Sequence, residues 1–501
     1  MVRTTKHLTA LAAVGVLALA ACSSNSKSAT STTGGAAVTT AASTAASTGK
    51  TTAVTTADTT GSSTADTTTG ASTADTSSAT TGGTTADTAS GTSTPGTGAP
   101  AKGWAVDTSK CSNPAAASAP ITGTLTIGSA MPLSVSPAAA AFAPVKDGFE
   151  LYFKYANDNN LLPGVTLKPS VQDDQYDATL TPGVVSGLID SGANIFSGII
   201  GTANNEAVRD TLNSECIPQM LNLSGAPEWG DVAHYPWTSG ALVPYNIEAT
   251  IYSHALLKQI GRGGTVGMFS VNSEFGKTFA DGFKAAAAKD GLTIVDEQTI
   301  EETDSNPPTN QVGALAAKKP AAVVAVPLGA QCPTFLKEMQ NAEAATPDWK
   351  PIVYQTNTCA SRLLISLLAG DAGTGIYTSG NILDPQDPAN AANAGVKKFT
   401  DAYNAAGLKG DIGTTAVGWT IAELTTDIII QAQKSGTLSR ESIINASRNM
   451  TVTPSLARAG ADYKMNGVAD PYPFQTLQVE QWDNAKNSFT LIGEPDTSAE
   501  S

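Results

Sequence analysis

None of the 29 Phe, Trp and Tyr residues lies before Trp104. Burial of large apolar side chains is what offsets the entropy of ordering a chain, so residues 1–103 cannot supply a folded core. Basic residues are scarce. The 29 Lys and Arg stand against 44 Asp and Glu, a formal charge of −15, which repels phosphate backbones and argues against nucleic acid as a partner. At 41% hydrophobic residues the 501-residue chain cannot be a polytopic membrane bundle. Histidine is nearly missing: His7 falls in the leader, and neither His234 nor His254 has a Ser or Cys nucleophile motif beside it. GxSxG does not occur, which argues against a serine hydrolase. CxxC and HxxxH do not occur either, so no metal is expected. No cofactor and no enzymatic activity are expected.

The first 21 residues carry Arg3 and Lys6 followed by an apolar stretch over 8–21, the pattern of a secretory signal too short to span a membrane. Its end, LAAC, resembles the bacterial lipobox, which makes Cys22 the expected site of lipidation. Residues 22–103 then collapse to Ser, Thr, Ala and Gly, with TADT starting at Thr56, Thr64, Thr73 and Thr85. Such a segment reads as a flexible tether, with a root-mean-square reach on the order of 50 Å. The expected location is the outer face of the bacterial cytoplasmic membrane.

Four cysteines remain, Cys111, Cys216, Cys332 and Cys359, and an even set in an exported chain suggests two disulfides. Of the three possible pairings, Cys111 with Cys216 and Cys332 with Cys359 is favoured, because each pair then falls within one lobe of the fold read below.

After Trp104, apolar runs of five to seven residues alternate with helical segments, the signature of parallel βαβ units. TLTIGSA (124–130), VTLKPSV, NIFSGII and IPQMLNL read as strands of one α/β lobe, with helices over 138–159, 184–189 and 204–212. Val145, Phe149, Tyr152, Phe153 and Ala156 form one helical stripe. A second series starts at TVGMFSV (265–271). It continues through a helix over 275–288, TIVDEQTI, a helix near 312–317, AAVVAVP, a helix over 335–344, PIVYQ, a helix over 363–368 and GIYTSGNI. Helices over 394–405 and 417–434 and the strand LQVEQW close the chain. The fold class is α/β, two doubly wound Rossmann-like lobes.

Candidate chemistry is thin. Asp173 and Asp174 are adjacent and read as a solvated loop rather than an acid/base pair. The segment around Gly276, Lys277 and Thr278 lacks the first glycine of a phosphate loop, and GRGGTVG precedes its strand instead of following it, so both read as turns. GIIGTA (198–203) is different: a strand ends, glycine permits close approach, and Thr202 is placed to cap a helix with its hydroxyl facing the cleft.

In order and spacing, TLTIGSAMPLS, GVTLKPSVQDDQYDA, GIIGTANNEA, IPQMLNLSGAPEW, TVGMFSVNSEFGKTFADGFKAAAAKDG, CPTFLKEMQ with VYQTNTC, and AVGWTIAELTTDIIIQA resemble the leucine/isoleucine/valine-binding protein family. These are the type I solute-binding lipoproteins of ABC importers. The resemblance covers nearly all of 104–501 and implies two lobes joined by three crossovers, near Gly240, 379–384 and 450–458. Lobe 1 is then 121–240 with 384–455, and lobe 2 is 241–380 with 456–493. It also supports the pairing of Cys332 with Cys359.

Carried over position by position, the family's carboxylate-binding hydroxyl is similar to Thr202, with the Ala203 backbone beside it. The next loop corresponds to Leu223, Ser224 and Gly225, the covering aromatic of the second lobe to Phe275, and the first loop's aromatic to Phe142. Gln331 and Asn357 fall near second-lobe contacts. Where the family places an acidic residue for an ammonium group, this chain reads ALVPYN, with Val243 or Tyr245 in its place. An ammonium sealed in without a carboxylate is costly, so a small carboxylate, amide or aromatic fits as well as an amino acid. The resemblance implies capture of a small molecule and its delivery to importer permease subunits, with a ligand sensor for a membrane receptor as the alternative.

Overall fold

Alternating buried strands and amphipathic helices build two parallel sheets in the computed structural model, which describes residues 103–500. The signal segment, Cys22 and the repeat-bearing tether lie outside the described residues. After a short helix α1 (Pro114–Ser118), the first sheet comprises β1 (Gly123–Met131), β2 (Val165–Asp173), β3 (Ile195–Ser197), β4 (Gln219–Asn222) and β5 (Thr238–Gly240). Its order is β2-β1-β3-β4-β5, and every pair is parallel. Helices α2 (Ala139–Asp158), α3 (Thr181–Asp190) and α4 (Thr202–Ser214) connect the strands. The stripe Val145, Phe149, Tyr152, Phe153 and Ala156 is buried throughout.

The second sheet holds β6 (Thr265–Asn272), β7 (Thr293–Glu301), β8 (Ala322–Val326), β9 (Ile352–Gln355), β10 (Tyr377–Gly380), β13 (Gln478–Asp483) and β14 (Ser488–Leu491). Its order is β14-β13-β10-β9-β8-β6-β7, with β13 and β14 antiparallel to their neighbours. Central β8 is buried at all five positions, as an unbroken apolar run inside a doubly covered sheet should be. Around it lie α5 (Tyr245–Ile260), α6 (Glu274–Asp290), α7 (Thr309–Lys318) and α8 (Gln331–Ala345). Helices α9 (Ala394–Ala405), α10 (Ile412–Lys434) and α11 (Arg440–Ser447) complete the first lobe, and a small hairpin pairs β11 (Thr451–Val452) with β12 (Tyr463–Lys464).

Helices α2 and α10 cross with backbone against backbone. A Cβ on Gly148 would lie 1.8 Å from the Thr415 carbonyl oxygen, and one on Gly418 would lie 1.9 Å from that of Val145. Two of the crossovers run side by side: Leu383 N donates to Leu456 O (2.8 Å), and Arg458 N donates to Asn381 O (2.8 Å). The Arg458 side chain clasps the pair through Ile382 O and Gly380 O and bridges to Glu480.

The structure departs from the sequence reading at several points. After Arg458 the chain does not stay with the second sheet: Tyr472 donates to Pro227 O (2.6 Å) and Gly467 N to Arg448 O (2.8 Å), so residues 461–474 pack on the first lobe before β13 crosses over. Residues Leu363–Leu368 wind as a π-helix. Helix α10 starts at Ile412, because Asp411 caps it by accepting from Thr414 N. Gly276, Lys277 and Thr278 are helical in the first turns of α6, capped by Ser273, rather than a turn. Asp174 is fully buried, not solvated: it accepts from Thr181 Oγ1 (2.9 Å) and Asn204 Nδ2 (3.0 Å), and burial pushes its carboxyl pKa up. Cys111 is bonded to Cys216, and Cys332 to Cys359.

Candidate ligand-binding cavity

Where the two lobes face each other, the turn after β3 leads straight into α4. Gly201 (φ 104°) holds the N-cap with no side-chain bond, and Thr202 is the first helical residue, so the hydroxyl is not the cap that the sequence suggested. It is buried and lies 2.8 Å from Ser224 Oγ. Tyr245, at the start of α5, donates its backbone N to Gly225 O (2.6 Å). Tyr245 is buried, which raises its pKa, and its ring packs on Phe275 with centroids 4.9 Å apart. Gly225 is what admits that ring, since a Cβ there would sit 2.7 Å from it.

Beside this cluster lies a cavity of about 220 Å³. The first lobe supplies Phe142 and Val145 from α2, Ile200, Leu223 and, from α10, Val417; the crossovers and second lobe supply Leu242, Tyr245, Phe275, Asn357, Ile382 and Leu383. A smaller cavity of about 40 Å³ shares Leu223, Leu242, Asn357, Asn381, Ile382 and Val417 and extends along the crossovers to Phe474. Of the residues expected from the sequence, Phe142, Leu223, Tyr245, Phe275 and Asn357 border the main cavity. Thr202, Ala203, Ser224 and Gly225 stand behind Tyr245 and do not reach the wall. Gln331 is engaged elsewhere: Nε2 donates to Glu301 O (3.0 Å) and Asp304 O (2.8 Å), and Oε1 accepts from Leu328 N (3.1 Å).

Four charged residues on the wall were not picked out from sequence as site residues: Arg362, Asp384, Arg458 and Glu480. Arg362 pairs with Asp384 (2.7 Å) and Arg458 with Glu480. Burial raises the Glu480 pKa, opposed by the Arg458 charge. Their only sequence cue was position, since Asp384 and Arg458 sit at the ends of two crossovers. One turn beyond Tyr245, Glu248 is fully buried, and desolvation lifts its pKa to about 7. Its Oε1 accepts from Asn357 N (2.7 Å), while Oε2 has no partner. Among the described residues no His, Cys, Asp or Glu cluster is arranged to hold a metal, and no helix is long and apolar enough to cross a membrane.

A family model described as periplasmic binding protein matches residues 124–486, spanning both sheets and the cavity. The chain belongs to the periplasmic binding protein family. Solved structures repeat the architecture of this periplasmic binding protein at low identity. A branched-chain amino acid ABC transporter protein from Thermus thermophilus with bound valine is 20% identical, with TM-score 0.67 over 76% of this chain and 98% of that one. A fatty acid ABC transporter substrate-binding protein from Thermomonospora curvata is 18% identical, with TM-score 0.65 over 75% and 94%. A solute-binding protein from R. palustris in complex with benzoate is also 18% identical, with TM-score 0.62 over 74% and 96%. A search of curated proteins returned no match. At these identities the structures show the type I periplasmic-binding-protein fold, and membership of the family places the chain among extracytoplasmic solute-binding proteins.

Proposed function

We propose that this chain is a lipid-anchored solute-binding protein that captures one small molecule between its lobes and delivers it to the permease subunits of an ABC importer. The observation that carries the reading is the apolar cavity of about 220 Å³ set between two sheets at their crossovers, the place where an open α/β lobe binds ligand. Phe142 and Val145 face it from one lobe and Phe275 and Asn357 from the other, so a ligand touching both favours the form in which the lobes meet. Cys22, after an apolar leader and before a segment with no aromatic residue, is the proposed anchor.

The relatives support a small ligand of varied chemistry, since valine, a fatty acid and benzoate appear in their names. Thermal denaturation of the full chain against amino acids, alcohols, amides, carboxylates and sugars tests the reading. A binder at 100 times its Kd adds about 2.7 kcal/mol of stability and moves the midpoint by several degrees. No shift from any compound, together with no small molecule released on denaturation of protein purified from its host, would end it.

A further inference from the structure

The cavity holds its charges already spent. Both cations on its wall, Arg362 and Arg458, are paired with the only two anions there, Asp384 and Glu480. Arg458 also gives its remaining donors to the Ile382 and Gly380 carbonyl oxygens, and Arg362 gives one to Asn487 O. A nearby pair of hydroxyls, Thr202 at the start of α4 and Ser224 after β4, lies 2.8 Å apart and could receive an anion. The Tyr245 ring covers this pair, packed against Gly225 and Phe275, and Tyr245 borders the cavity where Thr202 and Ser224 do not. The wall's free polar groups are neutral. Thr358 Oγ1 borders the cavity, buried and without a partner, beside the Asn357 and Asn381 side chains.

We propose that the Tyr245 ring shuts this hydroxyl pair off from the cavity and that the cavity selects an uncharged, mainly apolar molecule, its hydroxyl or amide end on Asn357, Thr358 and Asn381 and its apolar body along Leu242, Ile382 and Val417. An anion placed here meets no unpaired cation, only the neutral groups of Asn357, Thr358 and Asn381, so bringing it in from water costs more than bringing in its uncharged twin. An uncharged molecule forfeits little and gains apolar contact on every side.

The inference rests on the solute-binding reading, and matched probe pairs separate the two: benzamide against benzoate, 1-octanol against octanoate, 3-methylbutanol against 3-methylbutanoate, each titrated calorimetrically into the full chain. The uncharged member is expected to bind the wild-type protein at least tenfold tighter than its carboxylate twin. Tyr245→Ala uncovers the pair and is expected to improve carboxylate affinity at least tenfold. Tyr245→Phe keeps the ring in place and is expected to stay blind to carboxylates. Wild-type preference for the carboxylates overturns the inference and leaves solute binding standing. Absence of binding by any probe to wild type and variants overturns the inference, and the solute-binding reading then stands or falls on the denaturation screen. The wild-type comparison decides the matter even if Tyr245→Ala does not fold.

Discussion

Glu248 is the side chain whose environment differs most from water at the cavity margin. Buried beside Tyr252 and Thr356, it is lifted from about 4.5 to about 7 by desolvation, partly opposed by the hydrogen bond from Asn357 N. The folded state therefore holds a proton there that the unfolded chain releases near pH 4.5, so stability is fully present below that pH and declines as pH rises towards 7. Glu206, raised to about 7 by burial and the neighbouring Glu228 and Glu274, and Asp427, raised to about 6 by burial and Glu423, act in the same direction. Glu248→Gln should flatten the fall by up to one proton's slope, about 1.4 kcal/mol per pH unit, and should stabilise the protein above pH 7. Urea midpoints at pH 5 and pH 8 measure it; an unchanged difference between them would show that Glu248 titrates normally. At this scale the sequence was half legible. GIIGTA marked the turn because glycine spacing is local information, but the covering of Thr202 and Ser224 by the Tyr245 ring, packed on Gly225, depends on a contact across 20 residues that no spacing reveals.

Helices with a dry face and a wet face were readable, and α2 is the plain case: its stripe is buried as the period demands. Helix α5 went unread because Tyr245, Ile247, Glu248, Ala249, Ile251, Tyr252, Ser253 and Leu256 are all buried, which leaves no clean polar face. The helix over Leu363–Leu368 was read, but nothing in the pattern marks its π form, and the return of residues 461–474 to the first lobe carries no periodic signal. The crossing of α2 and α10 gives the sharpest prediction for an element. Gly148→Ala would put a methyl group 1.8 Å from the Thr415 carbonyl oxygen, and neither helix can yield without moving its sheet. A loss of about 3 kcal/mol or more is expected, the upper end of overpacking costs, read from urea denaturation. A change under about 0.5 kcal/mol would mean that the helices separate freely.

For the molecule as a whole, one of the places where the lobes touch is a small backbone junction, beside the packing of Ala141 and Phe142 on Cys332, Cys359 and Leu364. Ala330 N donates to Pro137 O (3.1 Å), and the preceding Gly329 (φ 54°) is so close that a Cβ would lie 2.4 Å from the same oxygen. Gly329→Ala should prop the lobes apart. Small-angle scattering with saturating ligand is expected to show a smaller contraction than in wild type, and the ligand's Kd should rise about tenfold, with the Cys332–Cys359 bond intact. Equal contraction in both proteins would remove this junction from closure. The two-lobed architecture was legible because parallel βαβ units announce themselves in series, whereas which surfaces meet across the cleft was not.

The lead into the first lobe has a mechanical side. Trp104 N donates to Asn449 Oδ1 and Val106 N to Asn445 Oδ1, both at 2.8 Å, and Cys111 is bonded to Cys216. Every one of these fastenings ends on the lobe built around the first sheet. A pull arriving through residues 103–111 is therefore borne by that lobe alone, and the load path never crosses the cleft. The second lobe hangs from the first through the crossovers and their shared contacts, so tension on the lead is not applied across the cavity.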